Sequence, residues 1–174
     1  MIRAFLLALM PLALIGSCGT VDPGQGPLHV DFGDELAQPY RDILFQAPSL
    51  ELIATDPDWP TEEGRKDPAK LHGYTVRGRA PLEAREERLE LLEALARGAR
   101  ENNGMVAACF NPRHAIRAEW QGEICELIIC FECLTFEVWD GEKRVEVVDL
   151  SESPSGTFDR LYEAAGLTIA PRGH

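Results

Sequence analysis

From Met105 onward apolar residues recur at every second position, and two turn-forming dipeptides, Gln121-Gly122 and Asp140-Gly141, interrupt the run. A period of two sends one side of an extended chain to a core and the other to water, which commits this part of the chain to an antiparallel sheet. Asp-Gly is a strong signal for a two-residue hairpin loop, and a loop of that length sets the register of its strands. Around the first turn Ala118 is expected opposite Cys125, Arg117 opposite Glu126 and Ile116 opposite Leu127. Around the second, Glu137 is expected opposite Arg144, Phe136 opposite Val145 and Leu134 opposite Val147. Both registers set opposite charges across from each other and apolar residues across from each other, which supports them.

The alternation slips by one residue in its middle. Cys125, Leu127, Ile129, Phe131 and Cys133 are the apolar set before Leu134, whereas Leu134, Phe136 and Val138 are the set after it. A bulge near Cys133 and Leu134 in one continuous strand would produce that slip. Upstream, the spacing is helical: Leu89, Leu92, Ala96 and Ala99 form a stripe widened by Leu91 and Leu95, with Arg85, Arg88, Glu90, Glu93, Arg97 and Arg100 on the other side. Pro81 suits a first helical position and Asn102-Asn103-Gly104 ends the pattern, so a helix is expected from about 82 to 101. A second, shorter helix is expected over 157–165, with Phe158, Leu161, Tyr162 and Ala165 on one side. Residues 28–72 are rich in turns, with Leu50–Ala54 as a short strand, and Tyr74–Arg79 is a further strand candidate. The acids of the 56–70 loop match no oxygen-ligand spacing for calcium. The fold class expected is α+β: an antiparallel meander of five to six strands with one long amphipathic helix and a short C-terminal helix on one face.

The N-terminus carries an address. Arg3 precedes an apolar run from Ala4 to Ile15 that is too short to span a bilayer and has the layout of a secretory signal. It ends in Ile15-Gly16-Ser17-Cys18, which resembles the lipobox of bacterial lipoprotein precursors. The resemblance implies removal of residues 1–17, lipidation of Cys18, and a protein exported to the bacterial cell envelope and held on its membrane by that lipid. Gly and Pro dominate 18–27, a flexible tether, and 28–174 is the expected single domain. With 17 basic against 29 acidic residues the net charge is -12, which argues against nucleic acid as a partner.

Chemistry is concentrated in four cysteines of the exported body, Cys109, Cys125, Cys130 and Cys133, with His114 near them in sequence. On a continuous strand Cys130 and Cys133 sit roughly 10 Å apart on opposite faces, and Cys125 and Cys133 roughly 26 Å apart. A disulfide requires Cα atoms within about 7 Å, so on this geometry at most one bridge forms, from Cys109, and at least two thiols stay free. Three readings stand side by side: small buried apolar residues; a zinc or copper site built from Cys109, His114, Cys130 and Cys133; or a redox or nucleophilic centre on the same residues. His114 is expected at a strand end, following the turn Asn111-Pro112-Arg113, whereas His29, His72 and His174 fall in loops or at the terminus.

The stretch Cys109-Phe110-Asn111-Pro112-Arg113-His114-Ala115-Ile116-Arg117, with Ile129-Cys130-Phe131-Glu132-Cys133, resembles an uncharacterised group of exported bacterial proteins that share a Cys-Phe-x-Pro-Arg-His element and an Ile-Cys-Phe-x-Cys strand. The resemblance runs from about Leu50 to Val148, implies that the two elements lie together in space, and carries no activity. No phosphate-cradling loop, nucleophile elbow or paired-carboxylate motif is present. The expected function is a non-enzymatic, lipid-anchored envelope module that binds an envelope protein partner, with no cofactor. The alternative is a thiol- or metal-dependent site on the four residues named.

Overall fold

The computed structural model describes residues 27–172; the leader, the Ile15–Cys18 motif and the tether up to residue 26 lie outside them. Those residues form an α+β fold, a six-stranded antiparallel sheet with four helices. The strands are β1 (Leu50–Thr55), β2 (Val76–Leu82), β3 (His114–Trp120), β4 (Glu123–Cys130), β5 (Thr135–Asp140) and β6 (Lys143–Asp149), in the spatial order β2-β1-β3-β4-β5-β6. β3 to β6 follow one another as a meander. The chain reaches β3 from β2 by crossing over β1 through a long helix, α3 (Arg85–Arg100).

The helix α3 begins later than the apolar stripe suggests, because Pro81 and Leu82 still pair with Glu51 and Leu50 as the end of β2. Proline is tolerated there because β2 is an edge strand, where a missing N–H costs no ladder bond to a further neighbour. Glu86 and Glu87 in the first turn and Arg97 and Arg100 in the last complement the helix dipole. Arg88, expected on the solvent side, is 2% exposed, and its Nη1 donates to the carbonyl of Ala47 at 2.6 Å. Ala47 is the C-terminal cap of α1 (Gln38–Gln46), so the guanidinium satisfies a carbonyl that the helix leaves unpaired. No helix was expected in 28–72; Pro39 in the first turn, with Tyr40, Ile43 and Leu44 at three- and four-residue spacing, was the available sign.

The first hairpin has the expected register, with Ala118 opposite Cys125, Arg117 opposite Glu126 and Ile116 opposite Leu127. Gln121 and Gly122 both have positive φ, 54° and 86°, the pattern of a type I′ turn. The second register is corrected. Gly141, with φ 56°, takes the first central position and Asp140 stays in the ladder opposite Lys143, so the loop is Gly141-Glu142. A shift between Val138 and Trp139 then leaves Val145 unpaired and sets Glu137 against Val147 and Phe136 against Val148. The shift turns Val148 into the core and leaves Val147 51% exposed.

The anticipated bulge at Cys133 and Leu134 is a turn between two strands. β4 ends at Cys130, residues 131–134 reverse the chain with Leu134 at φ 58°, and β5 returns with Thr135 opposite Cys130. One phase slip in the pattern reads the same for a bulge and for a tight reversal, which is why the sequence did not separate them.

One face of the sheet, carrying Leu52, Ile116, Leu127, Ile129 and Phe136, forms a common core with α1, α3 and α4 (Ser155–Ala164). The opposite face carries a smaller cluster, Ile53, Ala115 and Ile128, covered by Leu71 and Tyr74 of the loop between β1 and β2. That loop also holds the short helix α2 (Glu62–Arg65), capped by the Thr61 hydroxyl. Among the described residues no helix is long and apolar enough to cross a membrane.

Candidate functional site

The reversal after β4 brings Cys130 and Cys133 together in a disulfide, with Cα atoms 5.2 Å apart. This overturns the extended geometry expected around Phe131, in which those thiols were splayed and only Cys109 could bridge. Both cysteines are buried, and the Asn111 N–H donates to both sulfurs at 3.3 Å. The Ala107 N–H donates to the Cys133 carbonyl at 3.1 Å, so the segment bearing Cys109 runs along the disulfide turn. Cys109 itself is exposed and free. Cys125 is free and buried on the helix-covered face; burial, with Glu126 adding, pushes its thiol well up.

His114 faces away from these sulfurs, into the core. Its ring meets Phe131, Phe158 and Tyr162 edge-on, with centroids 5.3, 5.8 and 4.8 Å away. Its Nε2 lies 3.0 Å from Asp159 Oδ1, within reach of a hydrogen bond in distance but not aligned as one. Burial lowers the His114 pKa, against the opposing effect of Asp159, and the His114 contact in turn holds the Asp159 carboxyl below the usual range. The four predicted residues are therefore not one centre: two are joined to each other, Cys109 lies on the adjacent loop, and His114 belongs to an aromatic cage. Among the described residues no group of three or more His, Cys, Asp or Glu converges to hold a metal ion. Cys109–Arg113 and Ile129–Cys133 do lie together, tied also by Arg113 to Glu132 at 3.0 Å.

The hollow side of the molecule lies elsewhere, on the sheet face opposite α1, α3 and α4, where the sequence reading placed no site. His72 and Gly73 form a two-residue turn between Leu71 and Tyr74, with φ values of 50° and 97°. Only glycine fits at Gly73, since a Cβ there would come within 2.5 Å of the Pro60 Cβ. This turn holds the His72 ring stacked on Trp139 at 3.9 Å and its Nε2 2.7 Å from Glu126. Glu126 is buried and also lies 3.9 Å from Arg117. Beside it Glu137, also buried, pairs with Arg144 and accepts from Trp139 Nε1 at 3.0 Å. Tyr74, edge-on to Phe110, is pushed up to about 12 by burial and by Glu137.

Around this core of paired groups run two adjoining hollows of about 630 and 560 Å³, which share Arg65, His72, Trp139 and Glu142. Arg65, Lys66, Lys70, Arg79 and Arg117 line the first, and Lys143 and Arg144 add to the second; the facing acids are Asp67, Glu126, Glu137 and Glu142. In a chain of net charge -12 these hollows are thus locally cationic. A third hollow of about 580 Å³, lined by Glu51, Arg117, Glu119 and Trp120, continues the trough past Arg117. Together they take in every lysine of the sequence, Lys66, Lys70 and Lys143, and every tryptophan, Trp59, Trp120 and Trp139. The alternation put Glu126, Glu137 and Trp139 on a polar face, but His72 and Trp59 come from a loop that period-two reasoning does not reach. No protein-family model, curated protein or solved structure matches the chain.

Proposed function

We propose that this protein is a non-enzymatic binding module of the bacterial cell envelope, exported and held on a membrane by a lipid on Cys18, with the open face of its sheet as its binding surface. The observation that carries the binding role is the trough, which gathers the three lysines of an acidic chain with Trp59 and Trp139 on the open face of the sheet. Binding is favoured over turnover because the two buried carboxylates on that face are already committed, Glu126 to His72 and Arg117, Glu137 to Arg144 and Trp139. A general acid or base needs to be free to exchange its proton with a substrate. The Ile15-Gly16-Ser17-Cys18 motif supports the address. Labelling cells with a palmitate analogue is expected to mark the wild type and not Cys18→Ser, and the variant is expected in the soluble fraction. A Cys18→Ser protein that stays wholly with membranes overturns the anchor.

One observation favours a second reading, thiol chemistry: the exposed thiol Cys109 lies between Ala107 and Asn111, the two residues whose N–H groups bind the Cys130–Cys133 turn. Reduction of that disulfide would place two more thiolates beside this loop, a soft donor set suited to zinc or copper. Metal assay of the reduced protein, with Cys109→Ser as control, tests this reading; a stoichiometric metal that the variant loses would favour it over binding at the trough.

A further inference from the structure

The trough has chemistry of its own, and it narrows the class of ligand. Resting on the binding role proposed above, we infer that it is a site for an anionic oligosaccharide, a chain of sugar rings bearing carboxylate or phosphate groups.

Charge sets the sign of the ligand. Arg65, Lys66, Lys70 and Lys143 line the hollows and make no ion pair among the described residues, whereas Arg79, Arg117 and Arg144 are held by Glu51, Glu126 and Glu137. Unpaired cations concentrated in a concave patch of an otherwise acidic molecule attract a negative ligand and repel a positive one.

Shape and surface set the rest. Trp59 is 69% exposed at one end, Trp139 lies farther along with His72 stacked on it, and Trp120 borders the other end beyond Arg117 while packing against the helix-side core. The open indole of Trp59 offers an apolar face to the C–H face of a sugar ring, and a trough of linked hollows suits a chain better than a compact molecule. Glu142 and Asp67 stand among the cations, and carboxylates are hydrogen-bond acceptors. Sugar hydroxyls donate to such carboxylates, several from each ring, whereas an acidic peptide offers them only its backbone N–H groups. Extended peptides also dock along a sheet edge, where unpaired backbone groups recruit them; this trough lies on a face whose strands are paired with each other.

The test uses the full exported chain in neutral detergent, with hexagalacturonate as the probe and cellohexaose and hexaglutamate as the neutral and peptidic comparators. Calorimetry and tryptophan fluorescence are expected to show saturable binding of hexagalacturonate, weakening as salt rises, and about tenfold or more tighter than either comparator. Lys66→Gln/Lys70→Gln/Lys143→Gln, which removes the trough's lysines without touching the core, is expected to weaken binding about tenfold. Trp59→Ala, at an exposed position, is expected to weaken it severalfold and to leave the melting temperature unchanged. Absence of saturable binding, wild-type affinity in the triple lysine variant, or tighter binding of hexaglutamate would overturn the inference. The result is separable from the anchor experiment: failure of hexagalacturonate with a soluble Cys18→Ser protein removes the ligand and leaves the address, and binding with a Cys18→Ser protein that stays on membranes does the reverse.

Discussion

His114 and the cysteines are where single residues carry testable consequences. Burial lowers the folded-state pKa of His114 below its ordinary value near 6.5, so the unfolded chain binds more protons than the folded one as pH falls below that value. The stability contributed by keeping this imidazole neutral is fully present above the ordinary pKa and is lost as pH drops through it. Asp159 acts in the same direction at lower pH, because its depressed carboxyl contributes stability that disappears on acidification. The unfolding free energy is therefore expected to fall between pH 7 and pH 5, and His114→Phe, which keeps the aromatic cage filled, is expected to flatten that slope in urea titrations. A slope unchanged in the variant would place the sensitivity elsewhere. Thiol counting addresses the bridge directly. The denatured body is expected to show two reactive thiols, Cys109 and Cys125, and four after reduction. Four without reductant would mean that Cys130 and Cys133 are not joined. Both outcomes were beyond the sequence, because a Cys-x-x-Cys pair on a strand and one on a tight reversal have the same spacing, and only Leu134 at positive φ decides between them.

Among elements, α3 shows how a helix is read correctly in outline and wrongly in detail. Its apolar stripe is buried as the periodicity requires, yet Arg88 is buried with it because α1 ends against that spot and offers the Ala47 carbonyl. Arg88→Ala is expected to cost about 3 kcal/mol, from the stranded carbonyl and the cavity left behind, measurable by chemical denaturation. Gly98 is the other constraint on α3. A Cβ there would lie 2.3 Å from the Pro154 Cγ and 2.9 Å from the Leu150 Cδ1, so the helix backbone sits directly on the segment leading into α4. Gly98→Ala is expected to destabilise by about 1–3 kcal/mol despite better helix propensity, whereas Gly156→Ala in α4, with open space around it, is expected to be neutral or mildly stabilising. Equal effects of the two would rule out the close approach. Helix propensity is a local quantity and was legible; the neighbour pressing on Gly98 was not.

On the scale of the whole molecule, the sheet is covered unevenly, and its dynamics should follow. The central strands β1, β3 and β4 are packed on both faces, by Leu52, Ile116 and Leu127 on the helix side and Ile53, Ala115 and Ile128 on the other. The outer strand β6 buries only Val148 fully and carries Lys143, Arg144, Glu146 and Asp149, and β2 at the other edge carries Arg77, Arg79 and Pro81; charge and proline at edges discourage pairing with another chain. Amides of Leu127 and Ile128 are expected to exchange with solvent about two orders of magnitude more slowly than those of Val145 and Val147 in native-state hydrogen exchange. Similar rates would mean that the sheet opens as one unit. The amino-acid sequence by itself determined the α+β class, the positions of α3 and α4 and the register of the β3–β4 hairpin, because these rest on periodicity, cross-strand partners and turn residues that are near neighbours in the chain. Tertiary structure alone decided that Arg88 is buried, that Cys130 meets Cys133, and that His72 reaches Glu126 across 54 residues to build a trough. Those outcomes depend on which surfaces distant segments present to each other, and no spacing within a single segment encodes that.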